Sequence, residues 1–337
     1  MEQDKRNTAE RGIERKIQFL FKEKGKKALE IARNLVLEET KKIECEEVRE
    51  ALQYFINEYW NDVVSPALIC LGCEAVGGNP ASTIPIAVPL ILIGGAIDIH
   101  DDIIDKSKAK YNRPTVFGKY GQEIALLVGD ALLLKGLTLL QDAVKYFSRE
   151  EFTNIIKILN DAFFELGDAE ALEIEFRDNL GVTPEEYLHV IRKKAADVEG
   201  LFHIGAIIGG GSSEKIETLC YYGRVFGLLS ILRDDWIDTI DPKELLHRIL
   251  FENLPLPLLY ILQNQKAKVE AKQILQKSKK ITEQDIERLL EIIEKFGGFK
   301  YIKRIMLDLA NEANRKLLNS KLHTRNLRML LRFVAHM

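Results

Sequence analysis

The sequence predicts an all-α fold, a single large helical bundle, on three observations. Apolar residues recur in steps of three and four rather than in alternation, as in Ile124, Leu127, Ala131, Leu134 and Leu137 and again in Leu289, Ile292, Ile293 and Phe296. Breaks rich in Gly, Pro, Asn and Asp cut the chain into helical segments of about 15–30 residues. Strand signals between those breaks are few. With 337 residues, 46% apolar and 29% charged, the chain has the composition of a globular protein with a sizeable core. Lys plus Arg (48) falls short of Asp plus Glu (51), giving a net charge of −3 and no basic surplus to neutralise phosphates, which excludes a bulk nucleic-acid binder.

Residues 1–27 read as a charged amino-terminal segment and residues 28–337 as the helical domain. The start, Met1-Glu-Gln-Asp-Lys-Arg, has no apolar core of a secretory signal. The segment Ala67-Leu-Ile-Cys-Leu-Gly-Cys-Glu-Ala75 reads as helix. Its C-x-x-C pair lacks a second pair or a nearby His to complete a zinc set, so Cys70 and Cys73 are expected to pack as small apolar groups. Four cysteines are too sparse for a disulfide framework, which points to a reduced, cytoplasmic protein. After Gly77-Gly-Asn-Pro80 comes the most apolar run, Ile84 to Ile97, shorter than the ~20 residues of a membrane span and interrupted by Pro85 and Pro89. Further breaks fall at Asn112-Arg-Pro114, Gly181-Val-Thr-Pro184, Gly209 to Ser213, Asp241-Pro242 and Gly297-Gly298. Thr183-Pro-Glu-Glu186 and Thr282-Glu-Gln-Asp285 carry helix N-cap and acidic first-turn signals. Lys277-Ser-Lys-Lys280 reads as a solvated surface loop.

The informative local feature is Asp98-Ile-His-Asp101-Asp102-Ile-Ile-Asp105. Its aspartates stand at i, i+3, i+4 and i+7, all on one helical face, where they repel one another. One such stripe is also compatible with a solvated acidic surface. A second copy argues against that: Arg233-Asp234-Asp235-Trp-Ile-Asp238 repeats the D-D-x-x-D spacing at the end of another apolar run, with Asp241 one i+3 step further. Two such stripes bordering the core suggest helices facing each other across a cavity. Oxygen-only donors of high charge suit Mg²⁺, which keeps waters and takes substrate phosphate as ligand, so a phosphate- or diphosphate-bearing substrate is expected. His100 is expected as a hydrogen-bonding neighbour rather than a ligand.

With these residues in place the chain resembles the trans-isoprenyl diphosphate synthases, the polyprenyl synthetase family, from about Glu50 to the carboxyl end. Asp101-Asp-Ile-Ile-Asp105 and Asp234-Asp-Trp-Ile-Asp238 are similar to the family's two aspartate-rich motifs. Arg113-Pro-Thr115, Lys119-Tyr-Gly121, Val128-Gly-Asp-Ala-Leu-Leu133, Tyr187-Leu-x-x-Ile191-x-x-Lys194, Gly227 and Leu256-Pro-Leu-Leu-Tyr260 follow in the expected order. The resemblance implies an all-α fold of the isoprenoid synthase type with a central cavity, and an Mg²⁺-dependent prenyltransferase that ionises an allylic prenyl diphosphate with about three Mg²⁺. It implies Asp101, Asp102, Asp105, Asp234 and Asp238 as metal ligands, with Asp101, Asp102, Lys194 and Asp234 as the catalytic set. Lys110, Arg113, Lys194 and Asp235 would contact substrate, Lys110 standing where the family has an arginine. A homodimer is also implied.

The departures concern the second substrate. Ordinary members hold isopentenyl diphosphate with a Gly-Gly-Lys-Arg-x-Arg-Pro segment, a His seven residues before the first motif and a second Arg. Here those positions read Asp62, Val63, Ser65, Gly94 and Tyr111, and neither Lys nor Arg occurs from Glu50 through Asp105. Near the second motif, Ser230-Ile231 replaces a Phe-Gln pair and Asn253 a lysine. A few contacts worth about 1.5–3 kcal/mol each would supply most of a diphosphate's binding, so ordinary isopentenyl diphosphate binding is not expected there. Ile97 and Ala96, after Gly94-Gly95, stand where short-product members carry aromatics; they would admit a long prenyl chain or simply allow close helix packing. The reading is thus nominally polyprenyl diphosphate synthesis with an altered acceptor site. Its alternatives are a non-catalytic or weakly catalytic subunit of a heteromeric prenyl diphosphate synthase, or a prenyl diphosphate hydrolase or terpene cyclase.

Overall fold

The chain opens with α1 (Glu2–Thr40), a continuous helix that includes the boundary drawn at residue 27. The computed structural model describes residues 2–110 and 112–335, with side chains from residue 12 onward. Next come α2 (Glu46–Tyr54), a π-helical turn at Phe55–Tyr59, α3 (Val64–Val76), α4 (Ile84–Ile104), an antiparallel hairpin of β1 (Ala109–Lys110) and β2 (Arg113–Pro114), and α5 (Val116–Asp142). They are followed by α6 (Arg149–Phe176), α7 (Pro184–Lys194), α8 (Ala196–Ile208), α9 (Ser213–Ile240), α10 (Pro242–Phe251), α11 (Leu256–Ile261), α12 (Gln265–Leu275), α13 (Glu283–Lys295), α14 (Gly298–Asn319) and α15 (Arg325–Ala335). The all-α expectation holds, the short hairpin being the only strand pairing among the described residues. Two compact units result: Met1–Lys157 with Leu201–Ile216, and Ile158–Gly200 with Glu217–Met337.

The breaks act as their chemistry requires. Gly77 ends α3 at φ 100° and Gly297 precedes α14 at φ 83°, conformations that cost a side-chain-bearing residue about 1–2 kcal/mol. Thr183 and Thr282 each form a reciprocal capping box, with Glu186 and Asp285 respectively. One sequence expectation changes. Asp241 does not extend the second stripe, because α9 stops at Ile240 and Asp241 caps α10, its Oδ1 accepting from the backbone N–H of Lys243 and Glu244.

In the first unit the core is built on α4, whose Ile86, Leu90, Ile91, Leu92 and Ile99 are buried. The apolar run does not stop at Ile97; the helix carries it through the aspartates to Ile104. Residues Pro80–Ile104 are long and apolar enough to cross a membrane, but 61% of that apolar window is buried inside the protein, as in a core helix. Each buried Ile or Leu contributes roughly 1.5–3 kcal/mol, so five together outweigh the several kcal/mol of burying one aspartate, Asp102, in the same helix. α5 lies close along α4: a Cβ on Gly136 would come within 2.6 Å of Ile93 Cγ1, and one on Gly129 within 2.5 Å of His100 Nε2. Cys70 and Cys73 are both buried on α3, as small apolar groups.

The second unit is organised on α9, where Leu219, Tyr222, Val225, Phe226, Leu228, Leu229 and Leu232 are buried. The Tyr222 hydroxyl donates to Leu327 O at 2.9 Å, and the Arg233 guanidinium lies 3.9 Å from the Phe333 ring centre, tying α9 to α15.

Candidate active site

The first stripe occupies the last two turns of α4. Asp98, Asp101 and Asp105 are half-buried, Asp102 is fully buried, and Asp105 is the residue at which the helix ends. The chain turns back at once. Lys106 and Asn112 take left-handed φ angles of 56° and 60°, Ser107 N–H donates to Asp102 O at 2.9 Å, and the hairpin returns Lys110 over the carboxylates. Gly118 lets α5 pass against the hairpin, since a Cβ there would sit 1.9 Å from Lys108 O.

Lys110 Nζ is 2.8 Å from Asp102 Oδ1 and 3.6 Å from both Asp98 Oδ1 and Asp101 Oδ2. Burial pushes the Asp102 carboxyl up to about 7, against the pull of the Lys110 ammonium. Burial raises Asp98 too, and Asp101 and Asp62 add to the effect. For Lys110 burial works the other way, yet Asp98, Asp102 and Asp101 hold its pKa above the ordinary lysine value. Asp62 therefore brings negative charge toward this stripe. Its Oδ1 accepts from Val64 N–H and Ser65 N–H, each at 2.9 Å, so it also caps the start of α3. Gly95, one turn before Asp98, is overlain by Phe55 and Trp60, which stack at 5.3 Å; a Cβ on it would lie 3.0 Å from the Phe55 ring. Gly94 by contrast faces open space. Small residues thus serve close packing at Gly95 and leave room at Gly94.

Arg113 is not brought to the carboxylates. It is exposed, and its Nη1 donates to Glu58 O at 2.9 Å. His100 Nε2 lies 3.3 Å from Asp130 Oδ1, but that nitrogen is buried and makes no hydrogen bond among the described residues, so the hydrogen-bonding role expected of His100 is not seen there. Tyr111, which stands at the second-arginine position, lies outside the described residues.

The second stripe is on α9. Asp234 is solvent-accessible, yet desolvation by the protein around it raises its carboxyl to about 6, with Asp238 and Asp235 adding. Asp235 is 1% exposed and fully engaged: Oδ1 accepts from Tyr187 Oη and Arg248 Nη1, both at 2.8 Å, and Oδ2 from Leu256 N–H at 3.2 Å. Arg248 Nη1 also reaches Asp238 Oδ2 at 3.1 Å. Arg248 donates to Asn253 O at 3.3 Å, and Asn253 Nδ2 donates to Glu173 Oε1 at 3.1 Å. Glu173 in turn pairs with Lys194 at 2.5 Å, while Glu170 holds the same ammonium at 2.8 Å. Lys194 is thereby linked to Asp235 through one polar chain.

Sequence reasoning missed Arg248 and the Glu170–Glu173 pair. A single arginine three residues after buried Leu245, on the inward face of amphipathic α10, was the available signal for the first. An acidic pair at i, i+3 on α6 was the signal for the second.

The donor set fits magnesium in its chemistry: hard carboxylate oxygens, one of them (Asp102 Oδ2) buried without a hydrogen-bond partner, gathered on an ammonium that stands where a cation is wanted. Among the described residues, no group of three or more His, Cys, Asp or Glu side chains is arranged to hold a metal ion unaided. Mg²⁺ would draw its remaining ligands from water and substrate phosphate.

Comparison with known proteins gives the same direction. Residues 46–293 match the polyprenyl synthetase family. A short chain isoprenyl diphosphate synthase of Methanothermobacter thermautotrophicus is 28% identical over 270 residues, 75% of this chain and 79% of that protein. A geranylgeranyl diphosphate synthase of Methanosarcina mazei is 28% identical over 276 residues, 81% and 83% of the two chains. The crystal structure of geranylgeranyl pyrophosphate synthetase from Pyrococcus horikoshii Ot3 matches with a TM-score of 0.81 and 26% identity, covering 95% of this chain and 98% of that one.

Proposed function

The chain belongs to the polyprenyl synthetase family and is a prenyltransferase of isoprenoid biosynthesis; on that footing we propose that it ionises an allylic prenyl diphosphate and has an altered acceptor site. The observation that carries this reading is the carboxylate stripe of Asp98, Asp101 and Asp102 closed on Lys110 at the end of α4. In the first unit Asp101, Asp102 and Asp105 would hold Mg²⁺, and in the second Asp234 and Asp238 would do so separately; when bound, the metal neutralises diphosphate charge as it develops. Lys110 and Lys194 supply cationic charge to the anion, and Arg113 can reach it only by leaving Glu58. Asp235 acts by positioning: with Tyr187 and Arg248 it fixes the α9 turn that carries Asp234 and Asp238.

The altered acceptor site is supported by what surrounds Asp98. Asp62 adds negative charge where an incoming diphosphate needs positive, and residues 50–105 offer neither Lys nor Arg to offset it. Homodimerisation is supported by α5, which exposes Leu127, Leu134 and Leu137 at 56%, 67% and 48%, the apolar row read from the sequence. The free thiols fit a cytoplasmic setting.

Incubation with Mg²⁺ and radiolabelled allylic diphosphates, with and without isopentenyl diphosphate, tests the reading. Release of alcohol, hydrocarbon or a prenylated acceptor without isopentenyl diphosphate supports the altered site. Chain extension by isopentenyl diphosphate overturns that part and leaves a conventional synthase. Inertness until an active synthase is added identifies a regulatory subunit instead.

A further inference from the structure

Lys110 is placed differently from a residue that waits for an anion. Its ammonium has three carboxylates within 3.6 Å and is itself mostly shielded, with 31% of the side chain exposed. One of the three, Asp98, lies outside the D-D-x-x-D spacing, so the stripe gathers one more acid on this lysine than that motif contains. A divalent ion bound by Asp101 and Asp102 would lie within a few ångströms of the ammonium, and at such a distance two cations in a partly desolvated site repel by several kcal/mol. The two cannot share the stripe at full strength. The backbone at Lys110 is held by its β1–β2 pairing with Arg113, and two residues earlier the chain is held at Lys108 by the close pass of Gly118. The four-carbon stem is not, so the ammonium can leave without disturbing the hairpin.

We propose that Lys110 is the resident counter-ion of the first stripe and competes with divalent metal for it, so that metal enters as the ammonium moves off. This rests on the reading of the stripe as metal-holding. It adds a consequence: metal binds the free protein weakly, and binds better when an anion is present to receive the displaced ammonium.

The test is Mn²⁺ binding to the full chain without substrate, followed by calorimetry and by the spin-resonance signal of free Mn²⁺. Lys110→Met removes the competitor, and its dissociation constant is expected to fall about tenfold, the equivalent of one moderate charge interaction. Lys110→Arg, whose planar fork grips carboxylates more firmly, is expected to bind Mn²⁺ no better than the unaltered chain. Because Lys110→Met leaves Asp102 buried without its partner, the rise in melting temperature on adding Mn²⁺ is measured as well, and it should be larger in the variant. If Asp101→Asn and Asp105→Asn bind Mn²⁺ as tightly as the unaltered chain, the metal reading itself fails. If those two weaken binding but Lys110→Met does not tighten it, the counter-ion proposal alone is overturned.

Discussion

Replacing Arg248 by Met tests the network behind the second stripe. Asp235 is 1% exposed, and Arg248 Nη1, at 2.8 Å, is its cationic partner there. Removing one member of a buried pair leaves an uncompensated charge, at a cost of about 3–5 kcal/mol. The same substitution deprives Asp238 of its 3.1 Å contact and Asn253 O of a donor, so the upper end of that range is expected. Trp236 reports the event, because it packs edge-on against Phe299 in the same unit with ring centres 4.9 Å apart. Urea unfolding followed by fluorescence in a Trp60→Phe background isolates that signal, since Trp60 belongs to the other unit. Adding Asp235→Asn to Arg248→Met should recover part of the loss, as the amide still accepts from Tyr187 and carries no charge. A loss below about 1 kcal/mol, the value of an exposed surface pair, would refute the reasoning.

Other outcomes follow from the same geometry. Gly136→Ala forces a methyl group within 2.6 Å of Ile93 Cγ1, and should destabilise the first unit by about 1–3 kcal/mol in thermal unfolding. Thr183→Ala removes one half of the α7 capping box and should cost about 1 kcal/mol, visible as faster amide exchange over residues 184–188. Hydrogen bonds from Lys135 and Lys42 hold Glu39 near 2, below its ordinary 4.5; its contribution is therefore full above pH 4.5 and lost as pH falls toward 2. The Glu39→Gln chain should lose less stability across that acid window than the unaltered one; because Glu39 is 38% exposed, the difference stays under about 1 kcal/mol.

What the sequence disclosed was local. Helical spacing, the two Thr capping boxes and the glycine stops at 77 and 297 depend on neighbours within a turn, and they stand where they were read. The spacing of Asp98, Asp101, Asp102 and Asp105 placed them on one face for the same reason. What it hid depends on contacts far along the chain. Asp235 looks like any member of a D-D-x-x-D run until Tyr187, Arg248 and Leu256 are brought to it. Asp241 continued the i+3 arithmetic, but Pro242 removes the backbone N–H that a longer helix would use, and the residue became a cap. Lys110 and Lys194 read as cations for an anion, and both are met first by the protein's own acids.

Release of inorganic diphosphate from an allylic diphosphate, with Mg²⁺ and without any added acceptor, tests the central claim most directly when the unaltered chain is compared with Asp101→Asn. The account predicts release by the unaltered chain and a fall of at least about a hundredfold in the variant, the loss expected when charge stabilisation at the leaving group is removed. Equal rates in the two proteins would contradict it.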